Sequence, residues 1–169
     1  MTLKFTLFET KSGWMGITGT SAGIRRIILP MSDRKSALKA IVNSHKFEME
    51  HSEEAFLEAK TALTEYFDGK RIDFNIPLDL DGYTDFQKNV WNVTKTIPYG
   101  ELRSYGWVAS LIGKPKAARA VGNALGRNPV PIIVPCHRVI GSDGGLHGFT
   151  GGLDWKKKLI KLETENNAR

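Results

Sequence analysis

Residues 104–125 of this chain read SYGWVASLIGKPKAARAVGNAL, and this stretch decides how the second half of the protein folds. Residues 104–112 predict a short helix, and residues 113–115 predict a turn whose proline is well placed to start another helix. The second helix is predicted over 116–125. Two short helices joined by a tight glycine turn favour a helix-turn-helix, although the same arrangement also occurs as a simple packing unit.

The second predicted helix consists mostly of residues with a very small side chain or none. Its small residues are Ala117, Ala118, Ala120, Gly122 and Ala124. Such a surface can approach a nucleic acid closely, but it has few groups that can hydrogen-bond base edges. Arg119 is the exception, because it can reach phosphates or insert into a base stack. The alternative is an ordinary exposed helix arginine.

The segments around this motif are also predicted to be helical. Thr84 and Gln87 fit a capping box, and the apolar residues that follow share one helical face. Residues 141–152 contain six glycines. Such a loop can move or let a ligand approach its backbone, but it can also be an ordinary surface loop. A final helix is predicted over 153–163, with the lysines at 156–158 in solvent or near phosphate. We therefore assign residues 84–169 to a helical C-terminal domain.

The first half has a different pattern. β-rich runs over 3–8, 14–20 and 24–29 are separated by turn residues, and helical spacing follows them. These features predict an α+β domain over 1–70 that contains a three-stranded antiparallel sheet with helices. Residues 71–83 show little periodicity, so we place the linker there.

The charge is distributed unevenly along the chain. Residues 1–82 carry 11 Lys and Arg against 12 Asp and Glu, whereas residues 83–169 carry 13 against 6. A local basic excess favours a polyanion such as DNA, because neutralised phosphates release counterions. Apolar runs are too short to span a membrane, and the N-terminus lacks the apolar core of a signal peptide. We expect an intracellular protein, cytoplasmic or, in a eukaryote, nuclear.

The single cysteine of the chain lies in an unusual setting. Residues 128–138 read NPVPIIVPCHR, an apolar run bounded by prolines that predicts a buried, extended segment. Cys136 follows it, with His137 and Arg138 next in sequence. A thiol becomes a useful nucleophile when a base or a positive environment favours its thiolate. A lone cysteine is also often just a small buried hydrophobe, so the residues alone leave both readings open.

The motif from Pro135 to Ile140, together with RAVG at 119–122 and RNP at 127–129, resembles the O6-alkylguanine-DNA alkyltransferase family. The match is specific and ordered from about residue 84 to residue 163. The resemblance implies an N-terminal ribonuclease-H-like domain and a C-terminal domain that holds the helix-turn-helix. It also implies repair of O6-alkylguanine by irreversible, stoichiometric transfer of the alkyl group to Cys136.

The resemblance further implies roles for individual residues. Cys136 is the acceptor, His137 is the base acting through a water, and Glu163 orients that histidine. Asn128 braces the turn before the active site. Tyr105 turns the target phosphate and stabilises the departing guanine.

The implied DNA contacts lie around the helix-turn-helix. Arg119 fills the gap left by the flipped base in a sequence-independent minor-groove complex. Phosphate contacts are implied for Tyr105, Gln87, Ser104, Gly106, Lys114 and Ser142. The walls of the guanine pocket are implied to be Pro131, Val139, Phe149, Thr150 and Gly151.

The expected partner is therefore double-stranded DNA that contains O6-alkylguanine. We expect the protein to act as a monomer and not to bind a membrane. We expect no cofactor, and with one cysteine we expect no metal site. One alternative is a lesion sensor that flips the base without accepting the alkyl group, although Cys136 argues against it. Another is a cysteine hydrolase, which needs a thiol and a histidine but also an oxyanion hole that the sequence does not suggest.

Overall fold

The computed structural model describes residues 2–149 and 151–168. The chain separates into two compact units, Met1–Leu80 and Asp81–Arg169. Among the described residues, no helix is both long and apolar enough to cross a membrane.

The first unit is built on a four-stranded sheet in the order β3-β2-β1-β4. The strands are β1 (Leu3–Thr10), β2 (Gly13–Thr20), β3 (Gly23–Met31) and β4 (Met49–His51). The first three are antiparallel neighbours, as predicted. The sequence analysis missed β4, which pairs parallel to β1 with Leu3 opposite Met49. Three residues are too few to show the alternation by which a strand is detected.

Two helices pack in the first unit, α1 (Arg34–Ser44) and α2 (Leu57–Phe67). Ala37 and Ile41 of α1 form a buried cluster with Leu7 of β1. A Cβ at Gly16 would lie 2.4 Å from the Ile41 Cδ1 atom, so the glycine permits the close approach of α1 to the sheet. This mixed sheet-and-helix architecture is the α+β domain that the sequence predicted.

The segment at residues 71–80, which we expected to belong to a linker, is part of the first unit. The Ile24 amide donates to the Pro77 carbonyl and the Asp79 amide donates to the Ile24 carbonyl, each at 2.9 Å. The Asp79 carboxylate also accepts from Thr20 Oγ1 at 2.7 Å and from Arg25 Nη1 at 3.1 Å. These bonds give a segment without helical or strand periodicity an ordered place along β3.

The second unit is mainly helical. Its helices are α3 (Asp85–Thr94), α4 (Tyr105–Leu111), α5 (Ala118–Gly126) and α6 (Leu153–Asn167). The predicted capping box is present, because Thr84 Oγ1 accepts from the Gln87 amide and Gln87 Oε1 accepts from the Thr84 amide. The fully buried Trp91 of α3 donates from its Nε1 to the Ala124 carbonyl of α5 at 3.0 Å. This bond fixes α5 against the core.

Helices α4 and α5 form the predicted helix-turn-helix. Gly113 lies in the turn with φ +76°, a conformation that favours glycine. Two short strands, β5 (Arg103–Ser104) and β6 (Val139–Ile140), pair in parallel. Because β5 directly precedes α4 and β6 directly follows the Cys-His-Arg segment, this pairing places the thiol beside the start of the helix-turn-helix.

Candidate active site

The segment before the thiol folds back on itself, whereas the sequence analysis predicted an extended run. The Val134 amide donates to the Val130 carbonyl at 3.0 Å, and Ile132 has φ +75°. A positive φ is strained for a β-branched residue and costs on the order of 1–3 kcal/mol. Cys136, His137 and Arg138 then form a single 3-10 turn, so the thiol and the imidazole do not alternate as they would in a strand.

Asn128 holds this turn and contacts the thiol. Its Nδ2 donates to the Val134 carbonyl at 2.9 Å and to the Cys136 Sγ at 3.1 Å, and its Oδ1 accepts from the Val130 amide at 3.0 Å. The Asn128 side chain is fully buried. The residue predicted to brace the turn therefore also supplies a hydrogen bond to the sulfur.

The Cys136 thiol is protonated at neutral pH. The residue is only 2% exposed. Burial raises its pKa to about 11, although the hydrogen bond from Asn128 and the charge of Lys156 both act to lower it. A thiol in this state is a weak nucleophile until its proton is removed.

A buried ionic cluster adjoins the thiol and links His137, Arg138 and Glu163. His137 Nε2 lies 2.6 Å from Glu163 Oε1. Arg138 donates from Nε to Oε2 at 2.9 Å and from Nη2 to Oε1 at 3.0 Å. The Gly100 amide also donates to Oε2, at 3.1 Å. The carboxylate thus accepts four hydrogen bonds within 3.1 Å.

The cluster fixes the charge states of its members. Burial raises the pKa of Glu163, but the hydrogen bonds and charges of His137 and Arg138 outweigh it, so the pKa lies well below its usual range. Burial lowers the pKa of His137 despite the opposing effect of Glu163. His137 is therefore neutral at pH 7 and donates from Nε2 to the carboxylate. Its Nδ1 carries the lone pair that a base requires.

Lys156 was missed by the sequence analysis, which placed it in solvent or near phosphate. The side chain is fully buried, and its Nζ donates to the His147 carbonyl at 2.8 Å and to the Tyr105 hydroxyl at 3.2 Å. Burial lowers its pKa to about 8, and the nearby Cys136 opposes this shift. The helical spacing could have predicted this burial, since Lys156 lies three residues before Leu159 and seven before Glu163, on the buried face of α6.

Tyr105 begins α4 and adjoins this lysine. Its hydroxyl donates to the His147 carbonyl at 3.0 Å, and the Lys156 Nζ also lies 5.5 Å from the centre of its ring. Burial raises the pKa of Tyr105, and the nearby Cys136 adds to this effect. The phenol is therefore a hydrogen-bond donor at neutral pH.

A cleft of about 770 Å³ opens beside Tyr105. It is lined by residues of α4, α5 and the glycine-rich loop, among them Tyr105, Gly106, Arg119, Gly122, Ser142 and His147. Arg119 and Ser142 are exposed. The structure thus brings several of the predicted DNA contacts to one cleft.

The remaining predicted DNA contacts lie on the helix ends nearby. Ser104 Oγ caps α4 by accepting from the Trp107 amide at 3.0 Å, and Gln87 belongs to the cap of α3. Lys114 is exposed, with its Nζ 5.3 Å from the centre of the Phe86 ring. Their phosphate contacts stay predictions.

The predicted pocket walls differ in their exposure. Pro131 and Val139 are buried close in sequence to the thiol, and Phe149 is buried in the loop. Gly151 is exposed. Thr150 lies outside the described residues. In the part of the chain that the structure describes, no group of three or more His, Cys, Asp or Glu side chains could hold a metal ion.

These features define a class of protein, namely a helix-turn-helix domain that carries a buried thiol next to a histidine and a carboxylate. Residues 85–165 match the DNA-binding domain of 6-O-methylguanine DNA methyltransferase, and residues 3–80 match its ribonuclease-like domain. The chain belongs to this family, as its sequence motifs predicted.

Individual relatives agree with this placement. The methylated-DNA--protein-cysteine methyltransferase of Methanosarcina acetivorans is 45% identical over 94% of this chain and 97% of its own length. The crystal structure of O6-methylguanine methyltransferase from Mycobacterium tuberculosis superposes with a TM-score of 0.79 and 39% identity, covering 97% of this chain and 94% of that one. The structure of Mycobacterium tuberculosis OGT in complex with DNA gives a TM-score of 0.82 at 39% identity, covering 96% and 94%.

Proposed function

We propose that this protein repairs DNA by transferring the alkyl group from O6 of guanine to the Sγ of its own Cys136. The observation that carries the proposal is the buried set of contacts that joins Asn128 to the thiol and His137 to Glu163, in the same unit as the helix-turn-helix. Family membership supports the same reaction, since the relatives are named as methylated-DNA--protein-cysteine methyltransferases.

The first step is removal of the thiol proton. Because burial raises the pKa of Cys136 to about 11, the thiol needs a base. We assign this role to His137, which is neutral and carries its lone pair on Nδ1, acting through a water as the family resemblance implies. Glu163 holds the tautomer and stabilises the imidazolium once the proton has moved. The Lys156 charge stabilises the thiolate as it forms.

The second step is a single displacement. The sulfur attacks the alkyl carbon, so one S–C bond forms and one C–O bond breaks. The guanine leaves as an anion and takes up one proton, and the sum is alkylguanine plus thiol giving guanine plus thioether. Tyr105, a donor at neutral pH, stabilises the departing guanine by a hydrogen bond.

The thioether has no good leaving group, so each molecule reacts once. No external reductant or group carrier enters this balance, and the protein is consumed stoichiometrically. We place the reaction in the compartment that holds the DNA, which is the cytoplasm of a prokaryote or the nucleus of a eukaryote.

The cleft beside α5 supports binding of the duplex through its minor groove. The helix presents small residues to the cleft, so its backbone can approach closely without reading base sequence. Arg119 is exposed on that surface and is the residue we assign to the gap left by the flipped base. The basic excess of residues 83–169 favours phosphate contact.

The proposal is tested with Cys136→Ala and duplex DNA that carries an isotopically labelled O6-methylguanine. We expect the variant to bind the duplex with nearly unchanged affinity and to accept no label, because only the acceptor atom is removed. Label bound covalently to Cys136→Ala would show that the acceptor is another residue.

A further inference from the structure

The structure leaves almost no surface of Cys136 exposed. Cys136 is 2% exposed, whereas in-line displacement requires the alkyl carbon to come within about 3–3.5 Å of the sulfur. The glycine-rich loop at residues 141–149 borders the cleft from which a flipped base would approach. Its His147 carbonyl is bonded by Tyr105 and Lys156, which both lie near enough to Cys136 to interact with it electrostatically, so this loop is the candidate element to open.

One backbone atom of the loop is held by two side chains from other elements. The His147 carbonyl accepts from the Tyr105 hydroxyl of α4 at 3.0 Å and from the Lys156 Nζ of α6 at 2.8 Å. The same Nζ lies 3.2 Å from the Tyr105 hydroxyl, so the three groups close a triangle. The His147 side chain is 63% exposed and its ring centre lies 6.4 Å from that of Tyr105, whereas Phe149 is buried at the end of the loop, so the His147 carbonyl supplies the hydrogen bonds to α4 and α6 and not every contact of the loop.

The loop also holds its own shape. The Gly141 amide donates to the Gly145 carbonyl at 2.8 Å, and the Gly145 amide donates to Asp143 Oδ1 at 2.8 Å. Because these bonds lie within the loop, they need not break when the loop swings away from α4 and α6. The two bonds to the His147 carbonyl do have to break.

We propose that these two hydrogen bonds form a latch that closes the loop over Cys136, and that Tyr105 releases it when its hydroxyl turns to the target nucleotide. A hydroxyl has one proton, so Tyr105 cannot donate to the His147 carbonyl and to DNA at the same time. The releasing step rests on the proposed function. The consequence is that a thiol which reacts once is shielded from small alkylating agents until DNA engages Tyr105.

The latch is tested on the full chain without DNA, with Tyr105→Phe and the matched control Tyr83→Phe in the same unit. Amide hydrogen exchange of the peptide that contains residues 141–149 reports loop opening. We expect exchange to quicken about fivefold in Tyr105→Phe, since loss of one hydrogen bond of ordinary net strength shifts an open–closed equilibrium by about that factor. Iodoacetamide labelling of Cys136 should quicken similarly, and Tyr83→Phe should match the unaltered protein in both.

Lys156→Met provides a second variant, because it removes the other donor and keeps a similar side-chain length. Its loop exchange should also quicken, whereas exchange in peptides of α5 should not change in any of these variants. Unchanged loop exchange in both Tyr105→Phe and Lys156→Met would overturn the latch. Since exchange requires no alkyl transfer, the latch can fail while repair activity stands, or hold while repair activity is absent.

Discussion

His137 Nε2 and Glu163 Oε1 lie 2.6 Å apart, although 26 residues separate them in sequence and neither side chain is more than 2% exposed. This contact joins the 3-10 turn that carries the thiol to the helix α6. It makes the histidine a neutral base with a fixed tautomer. Loss of the charge on Glu163 should therefore lower the rate of alkyl transfer to Cys136.

Glu163→Gln should lower the rate of alkyl transfer by about 10²-fold, because the neutral amide no longer stabilises the imidazolium. Binding of undamaged duplex should change little. The measurement is a single-turnover transfer assay with O6-methylguanine duplex. Glu165→Gln is the matched control, since its carboxylate is on the same helix but exposed, and it pairs with the exposed Lys161. Equal rates for the two variants would remove Glu163 from the mechanism.

The pH dependence of the transfer rate should follow His137 and not the thiol. Burial lowers the pKa of His137, so protonation of the base should reduce the rate with a midpoint below 6.5, the ordinary value. Above that midpoint the rate should be nearly flat to about pH 7, because a base takes the thiol proton, and it should then fall as Lys156, whose pKa is about 8, loses the charge that stabilises the thiolate. A rate that rises tenfold per pH unit from pH 7 to 9 would instead show that free thiolate reacts without a base.

Lys156→Met should slow transfer by about tenfold, because a buried positive charge that favours the thiolate is lost. The alkaline limb of iodoacetamide labelling at Cys136 should also move to higher pH, which a purely structural loss would not cause. Lys157→Met, at the exposed neighbouring position, is the control. A pH profile identical to that of the unaltered protein would contradict the electrostatic role.

Arg119→Ala should separate base flipping from thiol chemistry. The Arg119 side chain is exposed in the cleft, and we assign it no part in the acid–base chemistry of His137 and Glu163. We expect slower transfer from duplex DNA and an unchanged rate with free O6-benzylguanine, which needs no flipping. Arg127→Ala, at the end of the same helix, is the control. A parallel loss on both substrates would show that Arg119 supports the thiol site itself.

Local sequence patterns predicted much of the secondary structure of this protein and its family. The capping box at Thr84 and the glycine turn between α4 and α5 depend on near neighbours, and both lie where the pattern placed them. The motif around Cys136 predicted the family. The strand β4 was missed because its three residues are stabilised by pairing with β1, a contact that no local pattern records.

The folded-back segment and the buried lysine show what depends on tertiary structure. Ile132 adopts φ +75° because buried contacts and the Asn128 hydrogen bonds hold the turn, against the local preference of a β-branched residue. Lys156 is an ionisable residue but is buried, and its Nζ donates hydrogen bonds to the Tyr105 hydroxyl and the His147 carbonyl. Its helical spacing indicated the buried face, but its charge favoured solvent.

The most direct test of the account is intact-protein mass spectrometry after incubation with excess duplex that contains one O6-methylguanine. We predict a single added methyl group per molecule, a plateau at one, and its location on the peptide that contains Cys136. Tight binding to the duplex without any added mass would contradict self-alkylation and indicate a protein that only recognises the lesion.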